Sequence, residues 1–316
     1  MNKLVLIDGN AILHRAFHAL PPMSNNGIPT NAVYGFFTML FKIIEDLKPE
    51  YLIVCFDRAA PTFRKQLYVG YQATRPSLSA DLSPQFAMTD KALEAAKIAH
   101  FGINGYEADD LIGTLSKQAR EKGMQTIIVS GDRDLLQLVN ANVLMLAPII
   151  GMTKMTLFDE NKVKEKYGLN PIQIIDYKAL VGDSSDNYPG VSGIGPKGAA
   201  NLLGKYKTIE GVYEHISELP QGLQEKLAND AEQSALAKKL ATIVLDVPLK
   251  LKEEDAEISK IDTKNLSKAF EDLGFNTIRK RLESIEKIKG ISQEKILKNQ
   301  TLKTQKDDDK GQMNLL

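Results

Sequence analysis

Three short apolar runs, each closed by an acid, limit what this chain can fold into. Leu4-Val5-Leu6-Ile7 ends in Asp8, and Leu52-Ile53-Val54-Cys55-Phe56 ends in Asp57. Ile127-Ile128-Val129 is followed by Ser130, Gly131 and Asp132. Runs this short, rich in Val and Ile, read as buried strands. Between them lie longer stretches with apolar residues at helical spacing, over 11–19, 32–47, 85–100 and 111–122. Strands that alternate with helices predict an α/β fold with a mainly parallel sheet and right-handed crossovers. In such sheets ligands bind beyond the carboxyl ends of the strands. Asp8, Asp57, Asp132 and Asp134 should therefore converge on one edge. A fourth strand is expected over 143–146 and an edge hairpin strand over 153–158. Mostly helical segments follow to about 288, with an extended stretch at 247–252.

Further acids should reach the same edge. Glu107, Asp109 and Asp110 open the helix at 111–122. Acids in a first turn complement the helix dipole, but three in four residues exceed that role. Asp183 and Asp186 sit three apart in Gly182-Asp183-Ser184-Ser185-Asp186. Nine carboxylates in one cleft would repel and raise one another's pKa values unless cations shared them. Carboxylate oxygens suit Mg²⁺ or Mn²⁺. Two such ions could activate a water and clamp both oxygens of an in-line displacement at phosphorus. The pattern thus points to phosphoryl chemistry.

Directly after Asp186 the chain becomes a Gly-rich turn containing Gly190, Gly193, Gly195 and Lys197, and it runs into an apolar helix from Ala199. Such a turn points backbone N–H groups outward, where they can hold a phosphate. The stretch 58–76 has Arg58, Arg64, Lys65 and Arg75, three aromatics and no acid. It fits a solvated surface segment, and equally a basic, aromatic rim for single-stranded nucleic acid. His14, His18, His100 and His215 lack metal-ligand spacing and read as structural or surface residues.

Lys plus Arg equals Asp plus Glu at 40 each, which argues against DNA binding by bulk charge alone. The single cysteine, Cys55, excludes an internal disulfide and fits a reducing compartment. No signal peptide or membrane-length apolar run is visible. A soluble, cytoplasmic, monomeric protein is expected. The chain carries neither a nucleophile-elbow motif nor a nucleotide phosphate loop.

Taken together, Leu-Ile-Asp8-Gly-Asn, Cys-Phe-Asp57, Pro-Thr-Phe-Arg64, Arg75-Pro, Glu107-Ala-Asp109-Asp110-Leu-Ile-Gly, Gly-Asp132-Arg-Asp134-Leu-Leu and Gly-Asp183-Ser-Ser-Asp186-Asn-Tyr-Pro-Gly-Val-Ser-Gly-Ile-Gly-Pro-Lys197 closely resemble a known family. It is the 5′ nuclease domain of bacterial DNA polymerase I with its stand-alone relatives, within the flap endonuclease superfamily. The resemblance implies a PIN-like core with a helical arch at 1–168. It implies a helix–three-turn–helix (helix-hairpin-helix) module and C-terminal helices at 169–290. Asp8, Asp57, Glu107 and Asp109 would lie near a first metal. Asp132, Asp134, Asp183 and Asp186 would lie near a second, with Asp110 adjoining. Arg75 and Arg15 would contact the scissile phosphate. Arg64, Lys65 and Tyr71 would meet DNA from the arch, with Tyr71 stacking on a base. The turn around Gly190, Gly193, Gly195 and Lys197 would grip duplex DNA, with a potassium ion there. Gln72 departs from the lysine that usually follows the tyrosine.

Residues 291–316 are polar and lysine-rich and are expected to be disordered. They end in Gln312-Met313-Asn314-Leu315-Leu316. Gln312, Leu315 and Leu316 resemble a bacterial sliding-clamp peptide on a tether. The expected function is a Mg²⁺-dependent, structure-specific 5′–3′ exonuclease and flap endonuclease, acting on DNA with a 5′ flap or 5′ end in replication and repair. A PIN-type ribonuclease and a non-catalytic junction binder are the alternatives.

Overall fold

The computed structural model describes residues 2–150 and 154–313, with backbone alone at 150, 300 and 302–313. Its centre is a six-stranded sheet. From one edge to the other the order is Ala99–Phe101, Tyr51–Cys55, Lys3–Asp8, Gln125–Val129, Val143–Ile150 and Lys154–Phe158. The first five strands are parallel and the last is antiparallel. The order reverses beside Lys3–Asp8, the place where such sheets open a crevice for ligands.

Side chains alternate across the pleat. Val5, Ile7, Leu52, Val54, Ile127 and Val129 pack on one face against the helices Gly9–Ala19, Asn31–Leu47, Ser83–Ala95 and Thr263–Asp272. Leu4, Leu6, Ile53, Cys55 and Ile128 pack on the other face against the helix Ala108–Glu121. A sheet covered on both faces explains why its strands read as continuous apolar runs. A third cluster, including Leu180, Val191, Ile194, Leu203 and Leu227, forms the core of the helices after residue 169.

Several expectations need correction. The helix expected over 85–100 ends at Ala95, and Ala99–Phe101 is an edge strand paired with Ile53–Cys55. Lys97, in the left-handed region at φ 54°, breaks the helical run between them. The stretch 247–252 forms no strand. It lies along the helix Ala108–Glu121, where the Gln118 side chain bonds the Leu249 carbonyl and the Leu251 N–H. The segment 58–81 is helical only over Phe63–Leu67 and continues in turns.

The segment after 290 is also not a disordered tether from its start. It continues the helix Leu282–Met313. Ser292 is buried and donates to the Pro49 carbonyl at 2.9 Å, Ile296 is buried, and Lys295 pairs with Glu50 at 3.1 Å. A polar helix can stay ordered when a few of its side chains anchor one face to the core. Leu315 and Leu316 of the expected clamp peptide lie outside the described residues, and of Gln312 only the backbone is described.

Candidate active site

Asp8, Asp57, Glu107, Asp109, Asp132, Asp134 and Asp186 line one cavity of about 500 Å³. It opens at the carboxyl ends of the parallel strands, beside the point where strand order reverses. Arg58, Lys65, Gln72, Arg75 and His14 share its wall, with the buried Arg64 and Tyr71 behind them. Among these lining residues, seven carboxyls face four cationic side chains.

Each acid is fixed by local structure. Asp8 caps the helix Gly9–Ala19: one oxygen accepts from the Ala11 N–H at 2.9 Å and the other from the Ser130 hydroxyl at 2.6 Å. Asp57 accepts from the Ala108 N–H at 2.7 Å, at the start of the next helix. Glu107 accepts from Thr62 and from Tyr71, each at 3.1 Å. Asp132 holds the Asp134 N–H at 2.9 Å, and Ser130 holds the Asp132 N–H. Burial is the main cause that raises Asp8, Asp57, Glu107, Asp109 and Asp134. The carboxyls of Asp8, Glu107 and Asp134 are each pushed up to about 7. Asp57 is raised too, and Asp109 goes well above the usual range, with Asp132 and Asp8 adding repulsion.

The second group of acids is completed by the ribbon that follows the helix Gln173–Val181. Gly182 and Asp183 pair antiparallel with Tyr188 and Pro189. Carboxylate oxygens of Asp134, Asp183 and Asp186 lie within 4.8 Å of one another. The Lys178 ammonium pairs with both Asp134 and Asp183. Against the penalty of burial, Lys178 and Ser185 bring the Asp183 carboxyl below its ordinary range. Asp186 accepts from Tyr71 at 3.1 Å and from Arg75 at 2.5 Å. A set made only of carboxylate oxygens, with too few cations to balance it, fits a hard divalent ion.

Three expected site residues have other roles. Asp110 does not face the cavity. It is fully buried, bidentate to Arg64 at 2.8 Å twice, and accepts from the N–H groups of Glu107 and Val244. Arg64 is therefore no surface cation: it also donates to the carbonyls of Leu240 and Thr242. Tyr71 is 3% exposed and lies parallel to Tyr188, at 6.3 Å between ring centroids, so its face is not open to a base. Arg15 is not among the residues that wall the cavity; His14, read from sequence as structural or surface, is. Lys65 and Arg75 are exposed at its rim.

In the turn, Gly193, Gly195 and Lys197 are exposed at the start of the helix Pro196–Tyr206, whereas Gly190 is buried. Sequence reasoning missed Lys178, Ser130, Thr62 and Asn10, whose amide oxygen accepts from the Asp57 N–H at 3.0 Å. Lys178 was legible in part, since it stands on the helix that leads into Asp183 and five residues before it. The other three depend on contacts between distant segments.

The N-terminal resolvase-like domain model of the 5′-3′ exonucleases matches residues 3–168, and their C-terminal SAM-fold model matches 169–264. The chain belongs to the 5′–3′ exonuclease family. A 5′-3′ exonuclease of Aquifex aeolicus is 37% identical over 286 residues, covering 90% of this chain and 96% of that protein. DNA polymerase I of Bacillus subtilis is 42% identical over 282 residues, covering 89% of this chain and 32% of the polymerase. The chain thus spans about a third of the polymerases it matches. Two solved structures share the family's fold. A T5 5′-exonuclease with bound zinc superposes with TM-score 0.63 at 20% identity, covering 91% of this chain and all of that one. The catalytic core of Rad2, solved with a DNA substrate, gives 0.59 at 14% identity, covering 91% of this chain and 92% of the Rad2 chain. No helix among the described residues is long and apolar enough to cross a membrane.

Proposed function

We propose that this chain is a divalent-metal-dependent 5′ nuclease that hydrolyses DNA phosphodiesters near a 5′ end or at the base of a 5′ flap, in replication and repair. One observation carries the reading: seven carboxyls line a single cavity at the sheet's carboxyl edge, with Arg58, Lys65 and Arg75 on the same wall. Asp8, Asp57, Glu107 and Asp109 would hold one Mg²⁺ or Mn²⁺ ion, and Asp132, Asp134, Asp183 and Asp186 a second. A bound ion supplies an acidified water and a Lewis acid for the phosphoryl oxygens.

The chain's own residues do the rest. Ser130 and the Ala11 N–H hold the Asp8 carboxylate in one orientation, while Thr62 and Tyr71 hold Glu107. Side chains fixed this way enter the reaction already oriented. Arg75 is half exposed and is held by an ion pair to Asp186, so it can turn to a phosphate oxygen at the rim. Lys65 adds a second cation there. The exposed turn at Gly193, Gly195 and Lys197 presents helix N–H groups and an ammonium to the duplex backbone. Two grips, one at the cavity and one at the turn, suit a substrate with both a single-stranded and a duplex part.

The test uses a labelled 5′ flap, a single-stranded RNA and a plain duplex, each with Mg²⁺ or with EDTA. Flap cutting near the junction in Mg²⁺ alone is expected. Cutting of RNA only, or flap binding without cutting, overturns the proposal.

A further inference from the structure

Among the described residues, Tyr188 is the buried tyrosine near the acids whose hydroxyl is left unused. The residue is 4% exposed, and its hydroxyl has no hydrogen-bond partner among the described residues. Buried phenol groups normally find one. Its neighbour Tyr71, stacked at 19° between ring planes, has its hydroxyl 3.1 Å from carboxylate oxygens of both Glu107 and Asp186, which share its one proton.

The position of Tyr188 says what its hydroxyl could meet. Tyr188 stands directly opposite Asp183 in the antiparallel ribbon. Residues opposed in this way send their side chains to the same face. Besides burial, the charges that act on the Tyr188 hydroxyl are Lys178, Asp134, Asp183 and Asp186, the three clustered acids and the lysine between two of them. The ring packs with Ala237, Leu240 and Ala241, a role that Phe would fill equally well. Packing therefore explains the ring and leaves the hydroxyl unexplained.

We propose that Tyr188 is a positioning residue for a divalent ion at the Asp134, Asp183 and Asp186 cluster, its hydroxyl bonding to a water in the ion's shell. The inference rests on the reading of that cluster as a metal site. Mg²⁺ and Mn²⁺ held by few carboxylates keep several waters, and groups that orient such a shell tune affinity. Lys178 supplies one positive charge to the same acids, and a divalent ion would supply the other two that three carboxylates call for. The neutral hydroxyl favours the hydrated ion without adding charge.

The experiment is Mn²⁺ titration of the parent and Tyr188→Phe by calorimetry, with near-ultraviolet tyrosine difference spectra, which are free of tryptophan signal because the chain has none. Tyr188→Phe should weaken one Mn²⁺ site about tenfold and lose part of the metal-induced tyrosine signal. Its metal-free unfolding midpoint should be unchanged or higher, because only an unpartnered hydroxyl is removed. Equal Mn²⁺ affinity in the two proteins overturns this inference alone. A parent that binds no Mn²⁺ overturns the metal-site reading and the inference with it. Should Tyr188→Phe fail to fold, Tyr188→Met must show the same weakened site, and parental affinity in it overturns the inference.

Discussion

Arg64 and Asp110 are joined by two parallel hydrogen bonds of 2.8 Å, from Nη1 to Oδ2 and from Nη2 to Oδ1, where neither side chain reaches solvent. The pair ties the segment after Pro61 to the start of the helix Ala108–Glu121. Further bonds to Leu240, Thr242 and Val244 bring in the C-terminal helices. Removing Asp110 leaves the buried Arg64 with the longer ion pair to Glu107, at 3.4 Å, in place of the bidentate one. Asp110→Ala should cost about 3–5 kcal/mol of stability, read from urea midpoints. A loss under about 1 kcal/mol, the scale of an exposed pair, would contradict the buried assignment.

Asp109 should behave in the opposite way. It is one residue earlier, faces the cavity, and repulsion from Asp132, Asp8, Asp134 and Asp57 adds to burial in raising its pKa. Asp109→Asn removes a charge that the metal-free fold tolerates badly. The variant should be as stable as the parent or more so in EDTA. It should lose several kcal/mol of charge stabilisation in the reaction, at least about a hundredfold in flap-cutting rate. Melting curves in EDTA beside single-turnover cutting check both halves, and full activity would remove Asp109 from the machinery.

The contrast between Asp109 and Asp110 also shows what the sequence could and could not convey. The strands ending in Asp8 and Asp57 were legible, because apolar runs between helices admit few other folds. So was the gathering of acids, since it follows from parallel topology. The direction of a single side chain was not legible. Asp109 and Asp110 are equivalent as residues in a first turn, and only the helix's rotation against Arg64 separates cavity from core. Tyr71 and Arg64 were read as surface groups because basic and aromatic composition looks alike on a rim and in a buried junction. The short strand Ala99–Phe101 was hidden because three residues carry no period.

Protonation gives a prediction with a definite sign. Asp8, Glu107 and Asp134 rise from ordinary values of 3.8, 4.5 and 3.8 to about 7 in the fold. Between those limits the native state holds more protons than the unfolded chain, so stability falls as pH rises. Above about 7 these groups are ionised in both states and the fall ends. Metal-free protein should therefore melt lower at pH 8 than at pH 6. A divalent ion replaces the protons, so saturating Mg²⁺ should remove or reverse the slope. Melting curves at both pH values, in EDTA and in Mg²⁺, test this, and a metal-free slope of opposite sign would refute it.

The last prediction concerns the ribbon that carries Asp183 and Asp186. A Cβ on Gly190 would lie 2.4 Å from the Gly182 nitrogen and 2.4 Å from the Leu180 carbonyl oxygen. Gly182 has φ at 77°, and a Cβ there would meet the Gly190 nitrogen at 2.5 Å. The two strands of the ribbon thus approach closely enough to exclude any side chain, and both obstacles are backbone, which cannot swing aside. Gly190→Ala must spread the ribbon, at a cost of about 1–3 kcal/mol for overpacking. Because Asp183 is carried by that ribbon, the shift should also weaken the Mn²⁺ site formed with Asp134 and Asp186. Gly195→Ala is the control, since a Cβ there meets nothing within 4 Å, and it should keep both stability and Mn²⁺ affinity. Calorimetric titration of the two variants decides the matter: equal affinities would show that the ribbon's close approach does not set the geometry of the acids.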